Sequence, residues 1–322
     1  MLPVRTQHGR KVPCYGLRTM DYGLNIQQIA RLTGHRASIY TLVQGDSPRE
    51  FLSGGGDGWV VRWDLEDTEQ AQLLAKVEGN IFSLLYVPEK QLLLAGNMYG
   101  GLHWISLDEG RDLRNIAHHK NGIYDIRYVD DHIYTAGGDG KLTKWQPEAM
   151  RPIETFALTH ESIRSLAYNT ARQEWAVGAS DHAIYLLDNH LQIKNSITKA
   201  HDNSIFTVCY SPDGKYLLSG GRDAHLKVWD VACDFELVSS QPAHWFTVND
   251  IAYHPEGHLF ATASRDKTIK IWAADTFKLL KVIDTARNGC HVNSVNKLLW
   301  TPHENTLISC SDDRTIMLWE IT

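Results

Sequence analysis

Cysteine is scarce in this chain: Cys14, Cys209, Cys233, Cys290 and Cys310 are five among 322 residues, with no CxxC pair and no regular spacing. Such an odd, scattered set excludes a disulfide framework and suits free thiols in a reducing compartment. Long apolar runs are missing too, and no stretch approaches the roughly 18 residues of a membrane span. Residues 1–20, MLPVRTQHGRKVPCYGLRTM, carry positive charge but no apolar segment, so no secretory signal is expected. No 3.6-residue apolar period is sustained, so helix is expected to be essentially absent. The net charge of −6 argues against nucleic-acid binding through general basicity. A soluble cytoplasmic protein, monomeric by itself and with no membrane or nucleic-acid partner, is the expectation.

What is present is repetition. The hydrophobic content of 43% suffices for a full core, and short apolar runs end at Trp63, Trp104, Trp145, Leu187, Trp229, Trp272 and Trp319. Successive intervals are 41, 41, 42, 42, 43 and 47 residues, so seven units fill the chain from about residue 24. Six positions before each stands Asp57, Met98, Asp139, Asp181, Asp223, Asp266 or Asp313. Four positions earlier comes Ser53, Leu94, Thr135, Val177, Ser219, Thr262 or Ser309. Upstream lies a histidine in six units (His35, His119, His160, His201, His244 and His291), with Val77 in unit two. Unit five shows the local grammar: SIFTVCY, SPDG, KYLLSG, RDAH, LKVWD and DFELVSS alternate short strands with tight turns, giving four strands.

Trp63-Asp64 and Trp229-Asp230 closing a third strand, Gly34-His35, and the 41-to-47-residue period together resemble the WD-repeat β-propeller family. The resemblance covers residues 24–322 and implies an all-β fold, a seven-bladed propeller of four-stranded antiparallel blades. Only Glu-Ile-Thr follows Trp319, too little for a last strand, whereas LNIQQIARLT precedes Gly34 without partners of its own. The N-terminal strand is therefore expected to complete the last blade and close the ring, leaving residues 1–23 as a tail outside it.

Ser, His and Asp are the ingredients of nucleophilic catalysis, but this chain holds the set five times. The complete quartets are His35, Ser53, Asp57, Trp63; His119, Thr135, Asp139, Trp145; His201, Ser219, Asp223, Trp229; His244, Thr262, Asp266, Trp272; and His291, Ser309, Asp313, Trp319. Five equivalent triads around a ring make no catalytic sense, and tryptophan has no place in one. Indole donates only, hydroxyl and neutral imidazole both donate and accept, and Asp accepts the last proton. The family resemblance implies that these are structural tetrads. Unit four lacks both partners of one bond (Val177, Leu187), and unit two is apolar at Val77, Leu94 and Met98, leaving Trp104 to find another acceptor. No residue is assigned a catalytic role, and no cofactor is expected.

The i, i+4 pair of HPEGH (His254, His258) would suit zinc on a helix. It aligns with the SPDG hairpin turn, so no metal ligand is assigned. SGGGDG (53–58) lacks a following helix and the Lys-Ser/Thr of a phosphate loop.

In the resembled fold, the turns between each unit's second and third strands and the loops joining its fourth strand to the next unit share the wide rim at the channel entrance, where partners commonly bind. The positions expected to face outward give Tyr40, Phe82, Tyr124 and the adjacent Tyr99 on units one to three, with Asn97 before the turn of unit two. Units four to six give Arg164, Phe206, Arg222 and Arg265. Gly56 and Gly138 are expected to let a ligand backbone approach. The segment from Trp272 to His291 spans 19 positions where other units span 14 or 15, and is expected to bring Arg287 towards Arg265. These residues suggest a non-catalytic scaffold for a protein or peptide segment with an aromatic or apolar anchor and acidic or phosphorylated residues. The alternative is a propeller hydrolase or lyase acting at the same mouth.

Overall fold

The computed structural model describes residues 23–322, and the expectation that residues 1–23 form a tail falls, but for Gly23, outside them. Seven four-stranded antiparallel sheets follow one another: blade one 39–76, two 81–117, three 123–157, four 163–197, five 205–242, six 248–283 and seven 295–321 with Ile26–Thr33. Strands are lettered a to d from the channel outwards. Strand d of blade seven is Ile26–Thr33, which runs antiparallel to Thr315–Ile321 from Ile26 opposite Ile321 to Thr33 opposite Thr315. Reciprocal hydrogen bonds between Asn25 and Thr322 extend the pairing at 2.6 and 3.0 Å. The ring thus closes on the N-terminal strand as expected.

The core is a set of wedges between adjacent blades rather than one centre. Leu94 and Trp104 of blade two pack on Ile123, Ile126 and Trp145 of blade three, and Leu218 and Val228 of blade five on Val248, Ile251 and Trp272 of blade six. Each buried side chain of this size contributes roughly 1.5–3 kcal/mol, and no blade can bury its faces without a neighbour.

Strand a departs from simple alternation in every blade. The register shifts between Ile39 and Thr41, Ile81 and Ser83, Ile123 and Asp125, Ile163 and Ser165, Ile205 and Thr207, Val248 and Asp250, and Val295 and Lys297. A bulge leaves the extra residue unpaired and re-aims its side chain.

Two blades need their repeat columns corrected. In blade two, Leu93 pairs with Ile105 as Phe51 pairs with Trp63, and Ala95 with His103 as Ser53 with Val61. The tetrad columns there are Ala95, Tyr99 and Ile105, not Leu94, Met98 and Trp104. Neighbouring strand residues point to opposite faces, so Trp104 faces blade three, 6.2 Å edge-on to Trp145. It finds no acceptor: its indole Nε1 is buried without a hydrogen bond among the described residues. In blade four the histidine column holds Thr159, whose hydroxyl donates to Asp181 at 2.6 Å, while His160 is exposed. Helix is confined to Thr285–Asn288 and two short 3₁₀ turns among the described residues.

Candidate partner-binding face

The five tetrads are assembled, and their proton order follows from the tryptophans. In blade one the Trp63 indole donates to Ser53 Oγ at 2.8 Å, so that hydroxyl must donate onward to His35 Nε2, also 2.8 Å. Nδ1 then carries the imidazole proton and donates to Asp57 at 3.0 Å. Blades three, five, six and seven repeat the relay through Thr135, Ser219, Thr262 and Ser309 at 2.8–2.9 Å. Burial lowers the pKa of His35 and His244, which keeps these imidazoles neutral. Burial would raise the pKa of Asp139 and Asp223, but their histidine partners and turn amides outweigh it and hold both at about 2. All five hydroxyls are 0% exposed. A nucleophile sealed from substrate cannot act, so the sets brace turns and loops.

The braced turns carry the face. The seven bulge residues are Tyr40, Phe82, Tyr124, Arg164, Phe206, Asn249 and Asn296, all half-buried at the channel mouth. Tyr40 meets Phe82 edge-on at 5.4 Å, and Phe82 stacks on Tyr124 at 5.5 Å. The Arg164 guanidinium lies 4.7 Å from the Tyr124 ring centre and 4.4 Å from that of Phe206. Arg164 therefore does not stand across the mouth from the aromatics; it is inserted between two of them, with Nε donating to Ser180 Oγ at 2.9 Å. Asn296 closes the ring by donating to the Ile39 carbonyl of blade one at 2.8 Å.

The residue before each turn completes the rim. Blade two supplies Met98, 37% exposed, where sequence spacing placed Asn97, which is 3% exposed. Asn97 instead supports its turn, accepting from Tyr99 and Gly101 amides at 3.0 and 2.8 Å. Tyr99 projects from that turn, 58% exposed. A Cβ at Gly138 would sit 2.9 Å from the Tyr124 ring, so that glycine seats the chain's own aromatic, whereas one at Gly56 would meet the Tyr40 ring at an ordinary 3.6 Å. Arg222 and Arg265 are exposed on blades five and six.

Arg287 is not on this rim. Its one-turn helix folds outward, and with Asn288 it lines a recess between Leu24–Ile26 and Leu279–Val282, the outer strands of blades seven and six. Its guanidinium pairs with Asp284 at 3.5 Å.

Below the mouth lies a channel of about 780 Å³. Its carboxylates are tied: Asp125 to Arg127 at 3.2 Å and the Leu166 amide at 2.8 Å, Asp250 to Lys297 at 2.8 Å and the Leu298 amide at 2.9 Å. Each amide belongs to the next blade, so these carboxylates staple neighbours together. Elsewhere, the turn brings His254 and His258 together without a helix, ring centres 4.4 Å apart, and their ligand atoms and that of Glu256 lie within 4.8 Å of one another. His254 Nδ1 already accepts the Glu256 amide at 3.1 Å, which leaves its proton on Nε2 and no free lone pair.

The family model "WD domain, G-beta repeat" matches residues 26–64, 193–230, 235–273 and 279–320. Protein tipD of Dictyostelium discoideum is 25% identical over 303 residues, covering 90% of this chain and 48% of its own length. The chain thus spans about half of that relative. Eukaryotic translation initiation factor 3 subunit I of Nematostella vectensis is 26% identical over 274 residues, 65% of this chain and 85% of that protein. The crystal structure of the WD40 β-propeller domain of Doa1 superposes with a TM-score of 0.81 at 18% identity, covering 92% of this chain and 97% of the other. That likeness is one of fold.

Proposed function

We propose that this chain, a member of the WD-repeat β-propeller family, is a non-catalytic scaffold binding an extended segment of a partner protein across its channel mouth. The observation that carries this reading is the row of seven bulges. They set an aromatic arc (Tyr40, Phe82, Tyr124, with Met98 and Tyr99 beside it) that Arg164 binds together from within, and the turns of blades five and six add an arginine arc (Arg222, Arg265) on the same rim. Aromatic and arginine side chains dominate interface energetics, and guanidinium suits bidentate capture of carboxylate or phosphate. The segment would seat an aromatic or apolar side chain on the first arc and an acidic or phosphorylated one on the second. The hydrolase or lyase alternative lacks support in the channel, whose carboxylates Asp125 and Asp250 are engaged in stapling.

The test is capture from native lysate with quantitative mass spectrometry, followed by titration calorimetry with the partner at two salt concentrations. Arg222→Ala with Arg265→Ala should abolish binding and leave the melting temperature unmoved. Tyr40→Ala or Phe82→Ala should weaken binding with the salt dependence retained. Full binding by the double arginine variant would place the functional surface elsewhere.

A further inference from the structure

Blade six carries a surface that the channel-mouth reading leaves unused. The loop entering its strand a places Trp245 and Phe246 directly after His244, 86% and 59% exposed. The equivalent pairs elsewhere are Arg36-Ala37, Glu78-Gly79, Lys120-Asn121, His160-Glu161, Asp202-Asn203 and Val292-Asn293, none of them holding Trp, Phe or Tyr. Neither ring is there through slack in the loop. The Trp245 amide donates to Asp266 at 3.0 Å, and the Phe246 carbonyl accepts from Ser264 Oγ at 3.2 Å. These backbone contacts fix the loop on the blade-six turn, next to the Asp266 of its tetrad. A tryptophan and a phenylalanine together offer roughly 300–500 Å² of surface for burial at little entropic cost.

Charge says what should cover it. The Arg265 amide donates to the Thr247 carbonyl at 3.1 Å, which puts that arginine on the turn hydrogen-bonded to the loop; Arg222 occupies the same position on blade five. Ion-paired arginines are Arg49, Arg111, Arg127, Arg172 and Arg287; among the described residues Arg222 and Arg265 have no such partner. A second copy seated face to face would bring like charges together, whereas an acidic segment would neutralise them.

We propose that Trp245 and Phe246, flanked by Arg265 and Arg222, anchor a partner segment in which a bulky apolar residue lies within a few positions of an acidic one. This rests on the channel-mouth reading and gives the bound segment a direction, outwards across blade six. The apolar side chain packs on Trp245 and Phe246 while the acid meets the guanidinium groups.

The probe is a phage-displayed library of random twelve-residue peptides selected on the immobilised protein, with selected peptides then titrated into variants. Peptides pairing an acid with a nearby bulky apolar residue should be enriched. Trp245→Ala with Phe246→Ala should weaken them by about tenfold or more. Both side chains are exposed, so the melting temperature should hold, and Trp245→Phe with Phe246→Tyr should restore most of the affinity. Undiminished binding by the alanine pair, with binding lost in Tyr40→Ala/Phe82→Ala, would overturn this anchor and leave the channel-mouth reading standing. Enrichment of nothing, or of peptides indifferent to all these variants, would overturn both. A wild-type chain that sediments as a dimer, and as a monomer without the two rings, would assign the patch to a second copy and overturn the proposal.

Discussion

The tetrad hydroxyls have no exposed surface, so each must find its partners within the blade or cost the fold about 1–3 kcal/mol. Ser219 accepts from Trp229 at 2.9 Å, and Trp104 donates to nothing among the described residues. Trp229→Phe should therefore destabilise by about 1–3 kcal/mol more than Trp104→Phe, since both lose similar volume and only one orphans a hydroxyl. Equal losses in denaturant melts would remove the relay from the account of stability. The same residues set the acid response. His35 and His244 have folded pKa values below the unfolded value near 6.5, so the unfolded chain binds protons first and stability falls as pH drops below about 6.5. Asp139 and Asp223, held at about 2, add a second loss between about pH 4 and 2. A melting temperature flat from pH 7 to 5 would contradict neutral imidazoles. The five quartets were legible because a serine or threonine, histidine, aspartate and tryptophan recur at fixed spacing. Blade two was misread because Trp104 mimics the tryptophan column one residue early, and a one-residue slip reverses every face.

At the scale of an element, the bulge decides which side chains reach the channel mouth. Two-residue alternation alone would pair Tyr40, Phe82 and Tyr124 within the sheet; the register shift frees them at the mouth. The positions could be picked from the repeat, but their mutual contacts could not. Arg164 between Tyr124 and Phe206 joins blades three, four and five, a relation that no single repeat encodes. The exposure of Trp245 and Phe246 is not evident from spacing, although they are the aromatic pair in a column that elsewhere holds none. The long loop after blade six was visible as extra length, whereas its direction was not. Asp284 caps the short helix by accepting from the Arg287 amide at 2.8 Å, and a Cβ on Gly289 would lie 3.3 Å from Gln28 of the closing strand. The loop is thus drawn towards the far end of the chain. Arg287→Ala should accordingly leave partner affinity unchanged while Arg265→Ala weakens it. Equal losses on titration would return Arg287 to the face.

For the molecule as a whole, closure links the channel-mouth rim to stability. Seven inter-blade wedges hold the bulge residues at one rim, and a propeller with an open seam could not keep blades one and seven in contact there. The seam is closed by Ile26–Thr33 on Thr315–Ile321, with Leu32 buried among Ile308, Ile316 and Leu318 and with Trp63 of blade one. A chain starting after Thr33 would expose the edge of Thr315–Ile321 and uncover part of that wedge, the conditions under which strands pair between molecules. It should aggregate on gel filtration and melt without the cooperativity of the full chain. A synthetic peptide spanning residues 24–33, supplied in excess, should restore a monomer by adding the missing strand, because the pairing requires no covalent link. Leu32→Asp in that peptide should abolish rescue, since a carboxylate would then be buried in the wedge without a partner. If the truncated chain stays monomeric and melts like the full one, Ile26–Thr33 is not what holds the ring shut, and the rim at blades one and seven must be secured by Asn296 and its neighbours instead.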